Sequence, residues 1–212
     1  LEAAEGQINA LVREGGEIGS AETGTSVQIV VNQTPFYAES GGQVGDAGTI
    51  SNAECELEVV DTTFALPNLR MHLCRVVRGI TKLNSQVVAT INDARRTEIR
   101  RHHTATHMLH WALRQVLGDH VKQAGSHVSP ERLRFDFSHY APVSASEIEE
   151  IERLTNAQLI ANDSVRAYET SKDEATAAGA IAFFGDKYGD IVRVLEAGVS
   201  VELCGGTHVG GL

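Results

Sequence analysis

From residue 92 to 117 apolar positions recur at helical spacing with no Gly or Pro between them, which predicts one long amphipathic helix. Asn92 or Asp93 can cap its start, and Gly118 ends it. On a helical wheel Ala105, Leu109, Ala112, Leu113 and Val116 share one flank, with His103, His107 and His110 nearly opposite. The histidines are therefore expected to face away from the helix's own apolar stripe. Upstream the texture changes to short β-branched runs at 27–31, 55–60, 71–77 and 86–91, separated by turn residues. Such spacing predicts a small all-β barrel or sandwich. In the first fourteen residues Ile8, Leu11 and Val12 lie on one side and Gly15-Gly16 follow, a pattern read as a short lead-in helix ended by glycine. Downstream, Leu133-Arg134-Phe135-Asp136-Phe137-Ser138 alternates with period two, as a half-buried strand does. Ser146 and Glu149 have capping-box spacing for a helix through about residue 160. A strand at 165–168, an Ala-rich helical turn at 173–180 and strands at 191–195 and 199–203 complete the pattern.

These elements divide the chain near residue 91. Residues 1–91 read as a lead-in helix and small β-barrel, and 92–212 as an α+β domain with a mainly antiparallel sheet and a long helix. At 212 residues there are enough apolar side chains for an ordinary core. With 22% charged residues and no long apolar run, a membrane-spanning or disordered chain is excluded. The start at Leu1 shows no basic-then-apolar leader, so no signal or transit peptide is expected. Three cysteines, an odd and sparse set, argue against a disulfide framework and for the reducing cytoplasm. The formal net charge of −10 has the wrong sign for holding nucleic acid by bulk electrostatics, so any RNA contact must rest on a local patch.

Chemistry concentrates in two distant segments. His103 and His107 are one helical turn apart, with Cβ atoms expected about 5–6 Å from each other, close enough for both imidazoles to reach one ion. Cys204 and His208 form a second spaced pair around Gly205-Gly206-Thr207, and the resulting three imidazoles and one thiolate suit Zn²⁺. A bare H-x-x-x-H says little by itself, and the metalloprotease version needs Glu where Thr104 stands, which disfavours peptidase chemistry. The plainer readings are Cys204 as a small buried hydrophobe and His208 as a turn cap. His102 falls on the apolar flank, and His110 suits a supporting or solvated role better than direct ligation. Arg96, Arg100 and Arg114 share the histidine face, a short basic stripe able to hold phosphates or, equally, a solvated helix surface. Ser40-Gly41-Gly42-Gln43-Val44-Gly45-Asp46-Ala47-Gly48 fits neither dinucleotide nor P-loop patterns and reads as tight β-turns where backbones approach closely. Gln123 is expected in the loop after the helix, its amide offering a donor and an acceptor toward the site, or else as a surface glutamine.

Several of these segments, in order, closely resemble the editing region of alanyl-tRNA synthetases. They are His103-Thr104-Ala105-Thr106-His107, Gln123-x-Gly125-Ser126, Leu133 through His139, Phe184-Gly185-Asp186-Lys187-Tyr188-Gly189-Asp190 and Cys204-Gly205-Gly206-Thr207-His208, with Pro35 through Gln43 upstream. The same module is shared with threonyl-tRNA synthetase and free-standing alanyl-tRNA editing proteins. The resemblance covers nearly the whole chain. It implies one zinc ion on His103, His107, Cys204 and His208, and an editing-sensitive glutamine at Gln123. It implies hydrolysis of the ester in tRNA(Ala) wrongly carrying serine or glycine, with the acceptor 3′ end as partner and no membrane. It also implies a segment of a longer synthetase, lacking the aminoacylation domain and touching other synthetase parts that supply most of the tRNA affinity. A synthetic pocket cannot strongly reject an isostere that merely adds a hydroxyl, whereas an editing pocket must satisfy that hydroxyl. Thr104, Thr106, Gln123 and Thr207 are the candidate partners. Two other readings stay open: a non-catalytic zinc-stabilised module that holds the acceptor end, and a free-standing editing protein.

Overall fold

Eight strands precede the first helix in the computed structural model: β1 (Ala3–Arg13), β2 (Gly16–Glu17), β3 (Ser20–Glu22), β4 (Ser26–Val31), β5 (Gly48–Ser51), β6 (Cys55–Leu66), β7 (Leu69–Lys82) and β8 (Gln86–Ile91). The structure describes residues 1–182 and 189–212. They form two compact units, one of Leu1–Ser40 with Val44–Arg96 and one of Gly41–Gln43 with Thr97–Leu212. In the first, antiparallel pairing runs β1-β4-β7-β6-β5-β8, and β8 returns to β1, closing a small barrel. Closure leaves no open edge among these six strands, and alternate side chains such as Ile8, Leu11, Ile29, Ile50, Leu57 and Val76 fill the interior.

The lead-in helix expected over the first fourteen residues is instead strand β1. Its pairing with β4 sets Ile8 opposite Val31 and Leu11 opposite Ile29, with a register shift between Ile8 and Ala10. One extra residue therefore bulges out, and two side chains three apart land on the same face of a strand. A spacing of three also suits a helix, which is why the periodicity misled. Strand β5 escapes sequence reading because only Ile50 of its four residues is buried. At Gly48 a Cβ would press on the backbone of Thr90 and Ile91, the close approach expected of the glycine-rich stretch.

The remaining elements are α1 (Asp93–Leu117), β9 (Gln123–Val128), β10 (Leu133–Phe137), α2 (Ala145–Ala161), β11 (Val165–Ser171), α3 (Lys172–Ala177), β12 (Ile191–Ala197) and β13 (Ser200–Leu203). The fold is α+β with antiparallel strand pairing: β9 with β10, and β11-β12-β13 as a three-stranded sheet. Helix α1 begins where the Asn92 side chain accepts the Arg95 N–H at 3.0 Å, and it ends at Gly118, whose φ of 110° halts the helical path. Ala112 and Leu113 pack with Val121 and Ile151. The histidine face is not solvated, because His103, His107 and His110 are buried as well. Helix α2 is capped one turn-half earlier than expected. Ser144 and Glu147, not Ser146 and Glu149, make the reciprocal box, and Val143 just before it packs onto the α1 core. Residues 184–188 of the Phe184–Asp190 motif lie outside the described residues. No described helix is long and apolar enough to cross a membrane.

Candidate metal centre

His103 and His107 leave α1 one turn apart, and Cys204 and His208 come from the glycine-rich segment that follows β13. One ligand atom from each of these four residues falls within 4.8 Å of the others. The Cys204 Sγ lies 3.4 Å from His103 Nε2 and 3.2 Å from His208 Nε2. A tetrahedral zinc with Zn–N of about 2.0–2.1 Å and Zn–S of about 2.3 Å has N–S edges of roughly 3.5 Å, so these separations match.

The proton positions on the three rings follow from their other partners. Gln43 Oε1 accepts the Thr207 backbone N–H at 2.9 Å, so this oxygen is fixed as an acceptor, and His103 Nδ1, 2.7 Å away, must donate to it. The Thr104 hydroxyl donates to the Arg100 carbonyl at 2.8 Å and so offers only lone pairs to His208 Nδ1 at 3.3 Å. His107 Nδ1 faces the Glu202 carboxylate, which can only accept. When the rings are neutral, the proton sits on Nδ1 in all three and each Nε2 carries the bare lone pair a metal needs, the usual arrangement around ligating histidines. His107 Nε2 is buried with no hydrogen-bond partner among the described residues, which is what a ligand atom looks like without its ion. The residues therefore fit a zinc ion.

Electrostatics agree. Burial raises a thiol, but the three imidazoles of His103, His107 and His208 around it outweigh burial and hold Cys204 well below its ordinary value, toward the thiolate. Burial likewise disfavours an ionised Glu202, yet the charge and hydrogen bond of His107 bring it down to about 2. Burial pushes His208 down to about 4, leaving it neutral. Desolvation opposes a cationic His107, but Glu202 and Cys204 lift it to about 10. A half-buried thiolate and a buried carboxylate on either side of His107 thus demand positive charge at this point, whether a proton or a metal ion supplies it.

Two supporting residues were not singled out from the sequence as part of the site. Gln43, wholly buried, grips Thr207 twice, through its N–H and through Oγ1 at 2.9 Å, while orienting His103. Glu202 is an inward residue of β13 that bridges His107 and, at 2.9 Å, His110. The signal for Gln43 was its place in a glycine-rich stretch. That for Glu202 was a carboxylate among apolar strand residues. Gly206 is needed where it stands, since a Cβ there would run into the His103 ring and come within 2.9 Å of Gln43 Oε1.

The other sequence candidates are distributed differently. Thr104 positions His208, as described. Thr106 donates to the His102 carbonyl at 2.8 Å, and His102 itself bonds Ser129. Gln123 is not in a loop: it opens strand β9 and donates to Ser126 Oγ at 3.0 Å, and Ser126 in turn donates to the Gly41 carbonyl. The basic stripe does not present itself as drawn from the helical wheel. Arg96 is 5% exposed and spends its guanidinium on Asp46 and the Pro35 carbonyl. Arg114 pairs with Asp119 at 2.8 Å, while Arg100 is half-buried and contributes its carbonyl to Thr104. Strong partners on neighbouring segments took two of these cations out of the stripe, which no wheel projection can foresee.

The sequence model of the family described as tRNA synthetases class II (A) matches residues 2–95. The alanine–tRNA ligase of Mesorhizobium japonicum is 50% identical over 98% of the chain, that of Rhizobium johnstonii 49% over 99%, and that of Sinorhizobium medicae 48% over 98%. The chain spans only 25% of the length of each of these curated relatives. Near-complete coverage at about half identity leaves little room for coincidence, and the chain belongs to the alanine–tRNA ligase family.

Proposed function

We propose that this chain is the proofreading part of an alanine–tRNA ligase, a zinc-dependent deacylase that hydrolyses the ester of tRNA(Ala) mischarged with serine or glycine in the cytoplasm. The observation that carries this reading is the convergence of three oriented imidazoles on one thiolate, within 4.8 Å, in a family whose members are named for joining alanine to tRNA. His103, His107, Cys204 and His208 would hold the ion. Bound there, zinc supplies a Lewis-acidic positive centre for the oxygens of the terminal ribose and ester.

The chain's own residues do the rest. Gln43, Glu202 and Thr104 keep the imidazoles in the right tautomer and angle. Among the four candidates for reading the serine hydroxyl, Thr104 and Thr106 have already given their protons to backbone carbonyls. Thr207 accepts from Gln43 and keeps its O–H to donate, so it is the residue we assign to that task. This contact separates the seryl ester from correct alanine, whose methyl group would leave the donor unpaired; it does not act on the glycyl ester, which has no hydroxyl to offer. Gln123, anchored through Ser126, contributes its amide oxygen to positioning the substrate or attacking water.

A second reading has one observation in its favour: four protein ligands close a tetrahedral site, the habit of structural zinc. Measuring deacylation of seryl-tRNA(Ala) by the purified, metal-replete protein separates the two. Deacylase action predicts hydrolysis of seryl but not alanyl ester, and loss of both zinc and activity in Cys204→Ala. Undiminished hydrolysis by a zinc-free Cys204→Ala protein would overturn the assignment, and a folded, zinc-loaded wild type without activity would favour the binding module.

A further inference from the structure

Past the end of α1 the chain builds a feature that the metal centre does not use. His120 stacks on Tyr140, with ring centroids 4.3 Å apart and planes 25° from parallel, and on His139 at 5.1 Å and 19°. His120 Nε2 and His139 Nδ1 share a hydrogen bond of 2.9 Å that fixes the two imidazoles against each other. Tyr140, at the outer end of the stack, is 85% exposed in a chain with only 5% aromatic residues. Tyr140 lies flat on His120 alone, with His139 tilted 39° from it at 6.1 Å and bracing His120 from behind; an exposed aromatic ring is ordinarily mobile, and holding one in this way costs side-chain entropy. A rigid open π-face is what a nucleobase stacks on.

Its location adds the second argument. In the β9–β10 ladder Gln123 pairs with Phe137. One step further Ser138 N–H donates to the Lys122 carbonyl at 3.0 Å, and the Lys122 side chain is exposed. His120 and His139 flank that rung. The stack thus continues the strand end that carries Gln123, whose Ser126 partner reaches Gly41, two residues from the Gln43 that orients His103. A flat ring and an exposed cation thus lie at the end of the strand pair that a short run of hydrogen bonds and chain connects to the ligand cluster.

We propose that Tyr140, buttressed by His120 and His139, is a stacking shelf for a base of the single-stranded 3′ end of an RNA, with Lys122 on the adjoining phosphate. This rests on the proposed reading that the chain acts at such an end, and extends it by naming where the strand lies. Stacking of this kind is indifferent to base identity, so the shelf would position the strand rather than select its sequence.

The test uses an RNA hairpin with a four-nucleotide single-stranded 3′ tail and the same hairpin without the tail. Binding to the whole chain is followed by fluorescence anisotropy. Wild type should prefer the tailed hairpin by at least about fivefold, the lower end for one base on one aromatic ring. Tyr140→Ala should lose that preference and Tyr140→Phe keep it, both with unchanged zinc content and thermal midpoint. Lys122→Ala should lower the salt dependence by about one phosphate contact. Equal tail preference in wild type and Tyr140→Ala, or none in wild type, would overturn the shelf. A patch serving protein contact would give that same null result. Hydrolysis of the serylated hairpin is read in parallel. Wild-type hydrolysis with an unaffected Tyr140→Ala discards the shelf alone. Tail preference that depends on Tyr140, without hydrolysis, keeps the shelf and discards the deacylase.

Discussion

Replacing Gln43 by Ala should weaken zinc binding about 10- to 100-fold, although this residue touches no metal. The magnitude follows from what its amide holds. Gln43 is wholly buried, and its oxygen accepts from His103 Nδ1 at 2.7 Å and from the Thr207 N–H at 2.9 Å, while its nitrogen donates to Thr207 Oγ1 at 2.9 Å. Truncation strands three polar groups and frees the His103 ring to rotate. A buried polar group left without a partner costs about 1–3 kcal/mol, and water entering the vacated space recovers part of it. A 10- to 100-fold loss corresponds to about 1.4–2.7 kcal/mol, the size expected for a ligand that must be re-oriented on binding. Competition against a chromogenic zinc chelator, with wild type and variant at equal concentration, measures it directly. Gln43→Glu is the informative companion. Its carboxylate still accepts from His103 and Thr207, so zinc affinity should stay within about tenfold of wild type, as in carboxylate–histidine–zinc arrangements. Wild-type affinity in Gln43→Ala would refute the argument and reduce Gln43 to a space-filling residue.

Two further outcomes test other parts of the structure. Arg96→Met removes one partner of a buried ion pair and leaves the Asp46 carboxylate without its cation, which should destabilise the protein by about 3–5 kcal/mol in urea denaturation without changing zinc content; a variant as stable as wild type would return Arg96 to the phosphate-binding role suggested by the helical wheel. His72, buried in the barrel, donates from Nδ1 to the Ile29 carbonyl and accepts from Thr34 at 2.8 Å, and burial lowers its pKa below the ordinary histidine value. The unfolded chain therefore takes up a proton as pH falls through about 6.5 while the folded barrel does not, so this group's contribution to stability is present above that pH and is lost below it, by at most about 1.4 kcal/mol per pH unit. Urea midpoints at pH 7.5 and 5.5 should differ less in His72→Asn than in wild type, and an equal difference would exclude His72 as the source.

Much of the architecture is legible without coordinates where local physics acts alone. Helix α1 runs from Asp93 to Leu117 because a cap, an unbroken 3.6-residue period and a terminal glycine coincide, and β8 occupies Gln86–Ile91 because its alternation is clean. The metal quartet could be picked out because i,i+4 proximity is a property of any helix, which pairs His103 with His107, and because Cys204 and His208 add the ligand types that suit zinc. Local rules stumble where two periods overlap, as in β1, where a bulge makes three-residue spacing serve a strand, and at Ser144 and Ser146, two capping boxes of equal quality.

The amino-acid sequence by itself determined the long helix α1, most of the longer strands, the barrel-like first part and the four residues of the metal quartet, since these depend on neighbours within a turn or a strand. Only the tertiary structure decided which buried partners surround those atoms: Gln43 against His103 and Thr207, Glu202 between His107 and His110, and Asp46 against Arg96. The physical reason is range. Propensity and periodicity act over a few residues, whereas the tautomer of an imidazole or the availability of a guanidinium is set by whichever group the fold carries to within 3 Å of it, from anywhere in the chain.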